Sequence, residues 1–171
     1  MDTFFEQIVP IKKTLGTFLA VVGIWLATAL VCFFAFPYLF GLFGSFGVLI
    51  IFGLLFGVYK LACRFNVEYE YIITNGTLDV DKIINKSSRK RLLSLELSGV
   101  TRLEKYEPRL LASVDKRALS FACNKDDTNA YFLASEKDNS RSSYLVFSPD
   151  ERLQGAILKF VPKYIANGAF K

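Results

Sequence analysis

The residues able to do chemistry in this chain are few and scattered. The densest group is Lys86-Ser87-Ser88-Arg89-Lys90-Arg91. Four cations in so short a run suit an anionic partner such as a phospholipid headgroup or an acidic protein surface. Asp79 and Asp81 stand two apart, which on a strand puts both carboxylates on one face. No third ligand follows nearby, so an exposed strand face is the simpler reading. Asp126 and Asp127 lie within Asn124 to Asn129, a stretch with the composition of a hairpin turn, where such side chains bond the local backbone. Ser87-Ser88 and Ser142-Ser143 have no base beside them. The chain has no histidine, which removes Ser-His-Asp and Cys-His pairs, His-bearing zinc sites and His-ligated haem. Cys32, Cys63 and Cys123 are far apart and form no CxxC. They fit a reducing compartment and read as small apolar fillers. The expectation is a protein that is not an enzyme and holds no cofactor or metal.

Two kinds of element must position these residues. Of the 171 residues, 52% are hydrophobic, and the excess is concentrated before Tyr59. From Thr14 to Tyr59 there is no charged residue, about twice the ~20 residues that one helix needs to cross a bilayer. Two membrane helices are expected near residues 14–36 and 42–62, with the break around Phe36-Pro37-Tyr38 and Gly41 to Gly44. Asp2 and Glu6 do not suit a cleaved signal peptide. Lys12 and Lys13 precede the first helix, Lys60 and Arg64 accompany the end of the second, and the connection is uncharged. The positive-inside rule then puts both termini in the cytoplasm, with the hairpin in the inner membrane. Phe4, Phe5, Ile8 and Val9 have the spacing of one face of a short helix lying along the inner surface ahead of Pro10. The expected organisation is a cytoplasmic N-terminal segment over residues 1–13, a transmembrane hairpin over 14–62 and a cytoplasmic domain over 66–171. Gly23 with Ala27 and Gly53 with Gly57 form small-xxx-small pairs. Packing within one hairpin and dimerisation both fit them.

Beyond the hairpin the period changes. Val67, Tyr69, Tyr71 and Ile73 alternate with Glu68, Glu70 and Ile72, the pattern of a half-buried strand. Asn75-Gly76 then predicts a tight turn, with Leu78 and Val80 on the returning strand. Further strands are expected at Leu92 to Leu97, Val100 to Tyr106, Ala118 to Cys123, Ala130 to Ser135 and Ser143 to Phe147. That makes seven antiparallel strands in a meander, without βαβ units. Ser148-Pro149-Asp150-Glu151 reads as an N-cap serine, a first-turn proline and the acid of a capping box. Leu153, Ile157, Phe160 and Tyr164 share one face of the ensuing helix, which Pro162 kinks or shortens. The fold class is an α+β membrane protein.

Seven antiparallel strands followed by an amphipathic helix resembles the pleckstrin-homology-like (PH-like) fold. The string NVEYEYIITNGTLDVDKIINKSSRKRLLSLEL from Asn66 to Leu97 resembles the opening of its bacterial members. The start MDTFFEQIVPIKK, followed by two membrane helices, is similar to a family of uncharacterised small membrane proteins from Gram-positive bacteria. The resemblance implies a seven-stranded PH-like barrel or sheet capped by the C-terminal helix, and it implies no activity. Eukaryotic pleckstrin domains place their basic residues in the first hairpin loop, where this chain has only Asn75-Gly76, so a phosphoinositide site is not implied.

In a meander that leaves the bilayer with its first strand, alternate loops return toward lipid. Those loops carry Lys86, Arg89, Lys90, Arg91, Arg109, Lys116, Arg117, Lys137 and Arg141 against Glu107, Asp115 and Asp138. The far turns carry Lys125, Asp126 and Asp127. Near an anionic leaflet each cation contributes roughly 1 kcal/mol. The first functional reading is a membrane-anchored, non-enzymatic interaction or scaffold module with a protein partner or a second copy of itself. The alternative is a sensor of anionic lipid using the basic loops, and a membrane-bound enzyme comes third. Nucleic acid is not expected as a partner, because Tyr69, Tyr71 and Phe121 read as strand core rather than stacking platforms.

Overall fold

The structure is a computed structural model that describes residues 3–124, 126–137 and 141–170, without the side chains of Ser113, Lys137 and Arg141. The chain forms two compact units. One is the apolar hairpin from Lys12 to Val67 together with Ile84 to Lys86. The other gathers the N-terminal segment through Ile11, Glu68–Ile83 and the remainder from Ser87 onward.

In the hairpin unit, helix α1 spans Leu15–Phe43 and helix α2 spans Phe46–Cys63. Both are long and apolar enough to cross a membrane. Thr14 caps α1, its hydroxyl accepting from the Thr17 amide at 3.3 Å. The expected break at Pro37 does not occur, because α1 runs through it. A proline removes one backbone donor and its ring crowds the carbonyl four residues earlier, a local cost that this 29-residue helix absorbs. The reversal comes later, at Gly44, whose φ of 56° suits glycine. Its amide donates to the Phe40 carbonyl at 2.8 Å. Gly47 begins the return, and a Cβ there would lie 2.6 Å from the Leu39 carbonyl oxygen. The two helices pack against each other, and the less exposed positions are Val21, Ile24, Thr28, Cys32, Ala35 and Leu39 on α1, and Gly47, Ile51, Leu55 and Val58 on α2. The three- and four-residue spacing is that of a helical seam. Buried Thr28 satisfies its hydroxyl on the Ile24 carbonyl at 2.7 Å.

Among the described residues the β unit holds eight strands in two four-stranded sheets, one more strand than the sequence pattern suggests. The first sheet has the order β1 (Phe4–Pro10), β2 (Val67–Thr74), β3 (Thr77–Ile84), β4 (Ser88–Glu96). Residues 4–10 are therefore a strand and not the expected short surface helix. They pair antiparallel with β2 from Phe4↔Thr74 to Pro10↔Glu68. The i, i+4 spacing of Phe5 and Val9 serves either conformation. The strand wins because β2 offers a ladder from beyond the whole hairpin, a partner that no local pattern encodes. The β unit thus begins before the hairpin, and the hairpin is inserted between its first two strands. Gln7, on the inward side of β1, donates from Nε2 to the Ser148 carbonyl at 3.1 Å and accepts from the Asp150 amide at 2.9 Å.

Asn75 and Gly76, at φ 48° and 87°, make the β2–β3 turn as expected. Asn85 and Lys86 are also left-handed, at 51° and 56°, in the β3–β4 turn. The Asn85 amide donates to the Asn66 carbonyl at 2.8 Å, which ties this turn to the end of the hairpin unit.

The second sheet has the order β5 (Val100–Lys105), β7 (Tyr131–Lys137), β8 (Arg141–Phe147), β6 (Leu119–Phe121). It is not a meander. A 3-10 segment at Pro108–Ser113 follows β5, and the chain crosses to the far edge, where β6 runs parallel to β8. Only three residues pair there, fewer than a periodicity argument can resolve. The core between the sheets contains Tyr71, Ile73, Leu78, Val80, Leu133, Leu145 and Phe147. Tyr71 and Phe147 meet edge to face at 5.7 Å.

Helix α3 (Glu151–Phe160) adds Leu153, Ala156 and Ile157 to that core. Its cap is Asp150, whose carboxylate accepts from the Leu153 amide at 2.7 Å. Ser148, the expected cap, instead bonds Asp127 at 2.7 Å through its hydroxyl. Pro162 ends α3 as foreseen and opens the short α4 (Lys163–Ala166). That break turns Tyr164 outward to 72% exposure, off the packing face assigned to it.

Candidate interaction surface

Strand β4 places Arg89 and Arg91 beside acids of β2 and β3. Arg91 bridges Asp79 at 2.9 Å and Asp81 at 2.8 Å. Arg89 lies 3.0 Å from Glu70. The two aspartates, read as an exposed face, thus hold a guanidinium, and Asp81 is buried. Lys90 lies between the two arginines and is exposed, while Lys86 falls in the hairpin unit. The basic run is therefore divided among three surroundings. Partly exposed ion pairs of this kind contribute little stability, but they neutralise the cations for any outside partner.

Arg109 pairs with Glu107, and Arg102 with Glu104 at 2.5 Å. These four, with Lys105 and Leu110, line an open hollow of ≈ 550 Å³. Lys116 and Arg117 are exposed in the turn before β6, which Asp115 organises by accepting from the Arg117 amide at 2.9 Å. Lys125 and Asp138 lie outside the described residues, as do the side chains of Lys137 and Arg141. Among the described residues, no group of three or more acidic or thiol side chains is placed to hold a metal ion.

Charge is partitioned between the units. Of the chain's 21 basic and 16 acidic residues, the hairpin unit contains Lys12, Lys13, Lys60, Arg64 and Lys86 and no acid. Sixteen of each sign remain in the β unit. The entire net charge of +5 therefore belongs to the hairpin unit.

The sequence reading missed two features of the first sheet. On the outward side of β1, Phe4 and Ile8 are 61% and 48% exposed on an edge strand. On the same side of β2, Glu70 is fully buried. The alternation of acids along β2 suggested only a solvated face, since the cover for Glu70 comes from β1 and β4. Burial, followed by a hydrogen bond with Glu6, raises the Glu70 carboxyl above the usual range, against the opposing pull of Arg89.

The three cysteines are unpaired. Burial, assisted by Asp127, pushes the Cys123 thiol up to about 11, which leaves it protonated and unreactive at neutral pH. In the hairpin, Gly23, Ala27, Gly53 and Gly57 all lie outside the α1–α2 seam. A Cβ on Gly23, Gly53 or Gly57 would meet nothing within 4 Å.

No curated protein and no solved structure matches the chain. A family model does, over residues 1–167, so it takes in the hairpin as well as both sheets. The match spans the apolar hairpin, both sheets and the C-terminal helix, and the chain belongs to the family described as "Bacterial PH-like domain (DUF6106)".

Proposed function

We propose that this protein is a non-enzymatic, membrane-anchored interaction module, held in the inner membrane with both termini and the β unit in the cytoplasm. Its β unit offers the free edge of β1 to an extended segment of a protein partner. The observation that carries this reading is the pair Phe4 and Ile8, exposed on the outward side of an edge strand. Strand addition draws affinity from such an edge and specificity from alternate side chains. Charge partition supports a protein over a lipid partner, because a unit with as many acids as bases has no net attraction to an anionic leaflet. Anionic-lipid sensing is the second reading. It is favoured by one observation, that Lys86 joins Lys12, Lys13, Lys60 and Arg64 in the unit that holds the helices.

The test is affinity purification of the intact protein from its native membrane in mild detergent, recording bound proteins and lipids. Wild type is compared with a Phe4→Ser, Ile8→Ser variant and with a Lys90→Glu, Lys116→Glu, Arg117→Glu variant. A stoichiometric protein lost only from the first variant supports the interaction module. Anionic lipid lost only from the second favours lipid sensing. Retention of the same protein by the Phe4, Ile8 variant removes β1 from the reading.

A further inference from the structure

Glu70 is buried on the outward side of the first sheet, and neither of its carboxylate oxygens accepts a well-directed hydrogen bond from an N–H or hydroxyl donor. Its charged and titratable neighbours come from three strands. From β1, Glu6 reaches it with a carboxyl group; from β4, Arg89 lies 3.0 Å from Oε2; from β3, Asp81 adds negative charge while held by Arg91. Register explains the first contact, because Ile8 pairs with Glu70 and Glu6 is the diagonal neighbour two residues along the same side. Two carboxyl groups in contact share a hydrogen bond only when one of them carries a proton. Once both ionise they repel, and among the described residues the cation beside Glu70 is Arg89, two strands away on β4.

We propose that Glu70 is a proton-operated latch for β1. Protonated, it donates to the Glu6 carboxylate and holds β1 on the sheet; ionised, it turns to Arg89 on β4 and repels Glu6. The consequence is local, since β1 is an edge strand bonded only to β2 within its sheet. It also affects the chain directly, since four residues separate Pro10 from the start of α1. The sign follows from the raised carboxyl. The latch is fully closed below the ordinary carboxylate range of about 4.3 and weakens as pH rises through the folded-state value of Glu70.

The experiment is hydrogen exchange on the full-length protein in detergent from pH 5 to pH 8, corrected for the intrinsic pH dependence. Protection of β1 amides is expressed relative to those of β3. The expected result is a ratio that falls with rising pH, by at most about tenfold per unit. It should be flat in Glu70→Gln, which is neutral at every pH, and steeper in Arg89→Gln, which loses the partner of the ionised form. Glu6→Gln, at an exposed position, should also be flat and serves if Glu70→Gln does not fold. A flat ratio in wild type, or an unchanged slope in Glu6→Gln or Glu70→Gln, overturns the proposal.

Discussion

If β1 belongs to the β unit, a chain cut to begin at Asn66 must lack part of its own sheet, and the missing strand can be restored without the apolar helices. Pro10 and Glu68 are register partners, so their Cα atoms sit about 5 Å apart. Replacing residues 12–66 by Asn-Gly would join Ile11 to Val67 through a two-residue turn of the kind that closes antiparallel pairs. Two side-chain contributions separate the joined chain from the truncated one. Phe5 and Val9 are half-buried against the core, worth together about 2 kcal/mol at half the value of full burial. Gln7 makes two hydrogen bonds to the Ser148–Asp150 segment, worth about 1 kcal/mol each. The truncated chain should thus be less stable by about 4 kcal/mol, a large fraction of the 5–15 kcal/mol typical of a domain. Trp25, the single tryptophan, is removed in both versions, so unfolding in urea is followed by circular dichroism. Equal midpoints for the two chains would refute the inclusion of β1.

Three further outcomes follow from specific contacts. Gln7→Ala in the joined chain should cost about 2 kcal/mol in urea unfolding, and Gln7→Glu at least as much, since a carboxylate cannot donate to the Ser148 carbonyl. Gly47→Leu should lower the thermal midpoint of the full-length protein in detergent, because its Cβ would lie 2.6 Å from the Leu39 carbonyl oxygen, whereas Gly53→Leu should not. Alkylation of Cys123 by iodoacetamide should rise about tenfold per pH unit up to about 11, since at pH 8 roughly one thiol in a thousand is ionised. A plateau near pH 9 would contradict its burial.

Much of the fold is legible in the sequence wherever the signal is local. The Asn75-Gly76 turn, the alternation of Tyr69, Tyr71 and Ile73, and the uncharged run through Tyr59 each state their structure within a short window. The seven strands after the hairpin all form near their expected positions. What escapes is structure decided by distant partners. Residues 4–10 have a spacing open to helix or strand, settled by β2 across the hairpin. Strand β6 pairs through only three residues, and its parallel run beside β8 follows from where the chain crosses rather than from its own composition. Pro37 looks like a break because proline removes a helix donor and crowds the carbonyl four residues earlier; α1 nevertheless continues through it to Phe43, a continuation decided by the whole helix and not by one residue. The surface was less legible still. The run from Lys86 to Arg91 reads as a single cationic site, but the acids that neutralise Arg89 and Arg91 come from β2 and β3, and their alignment depends on strand register.

The same register changes what the chain's basicity means. A net charge of +5 invites the inference that the exposed domain seeks an anionic surface. The charge belongs instead to five residues in the unit that holds the two long apolar helices, beside helix ends and in the turn tied to Asn66. Positions flanking short apolar helices are where basic residues set orientation during insertion. In the proposed topology that requirement accounts for Lys12, Lys13, Lys60 and Arg64. The β unit, relieved of any net charge, has no long-range preference for lipid. On the proposed reading a partner engages it through short-range features, and on the first sheet these are an apolar pair on an edge strand and a buried carboxylate beside it. Since β1 carries Phe4 and Ile8 on its outward side and Glu6 between them, a partner that engages β1 also covers the contact with Glu70. With Glu70 as the proposed latch, partner binding and its protonation would be linked through one strand, and a ligand that prefers the seated strand would raise proton affinity there.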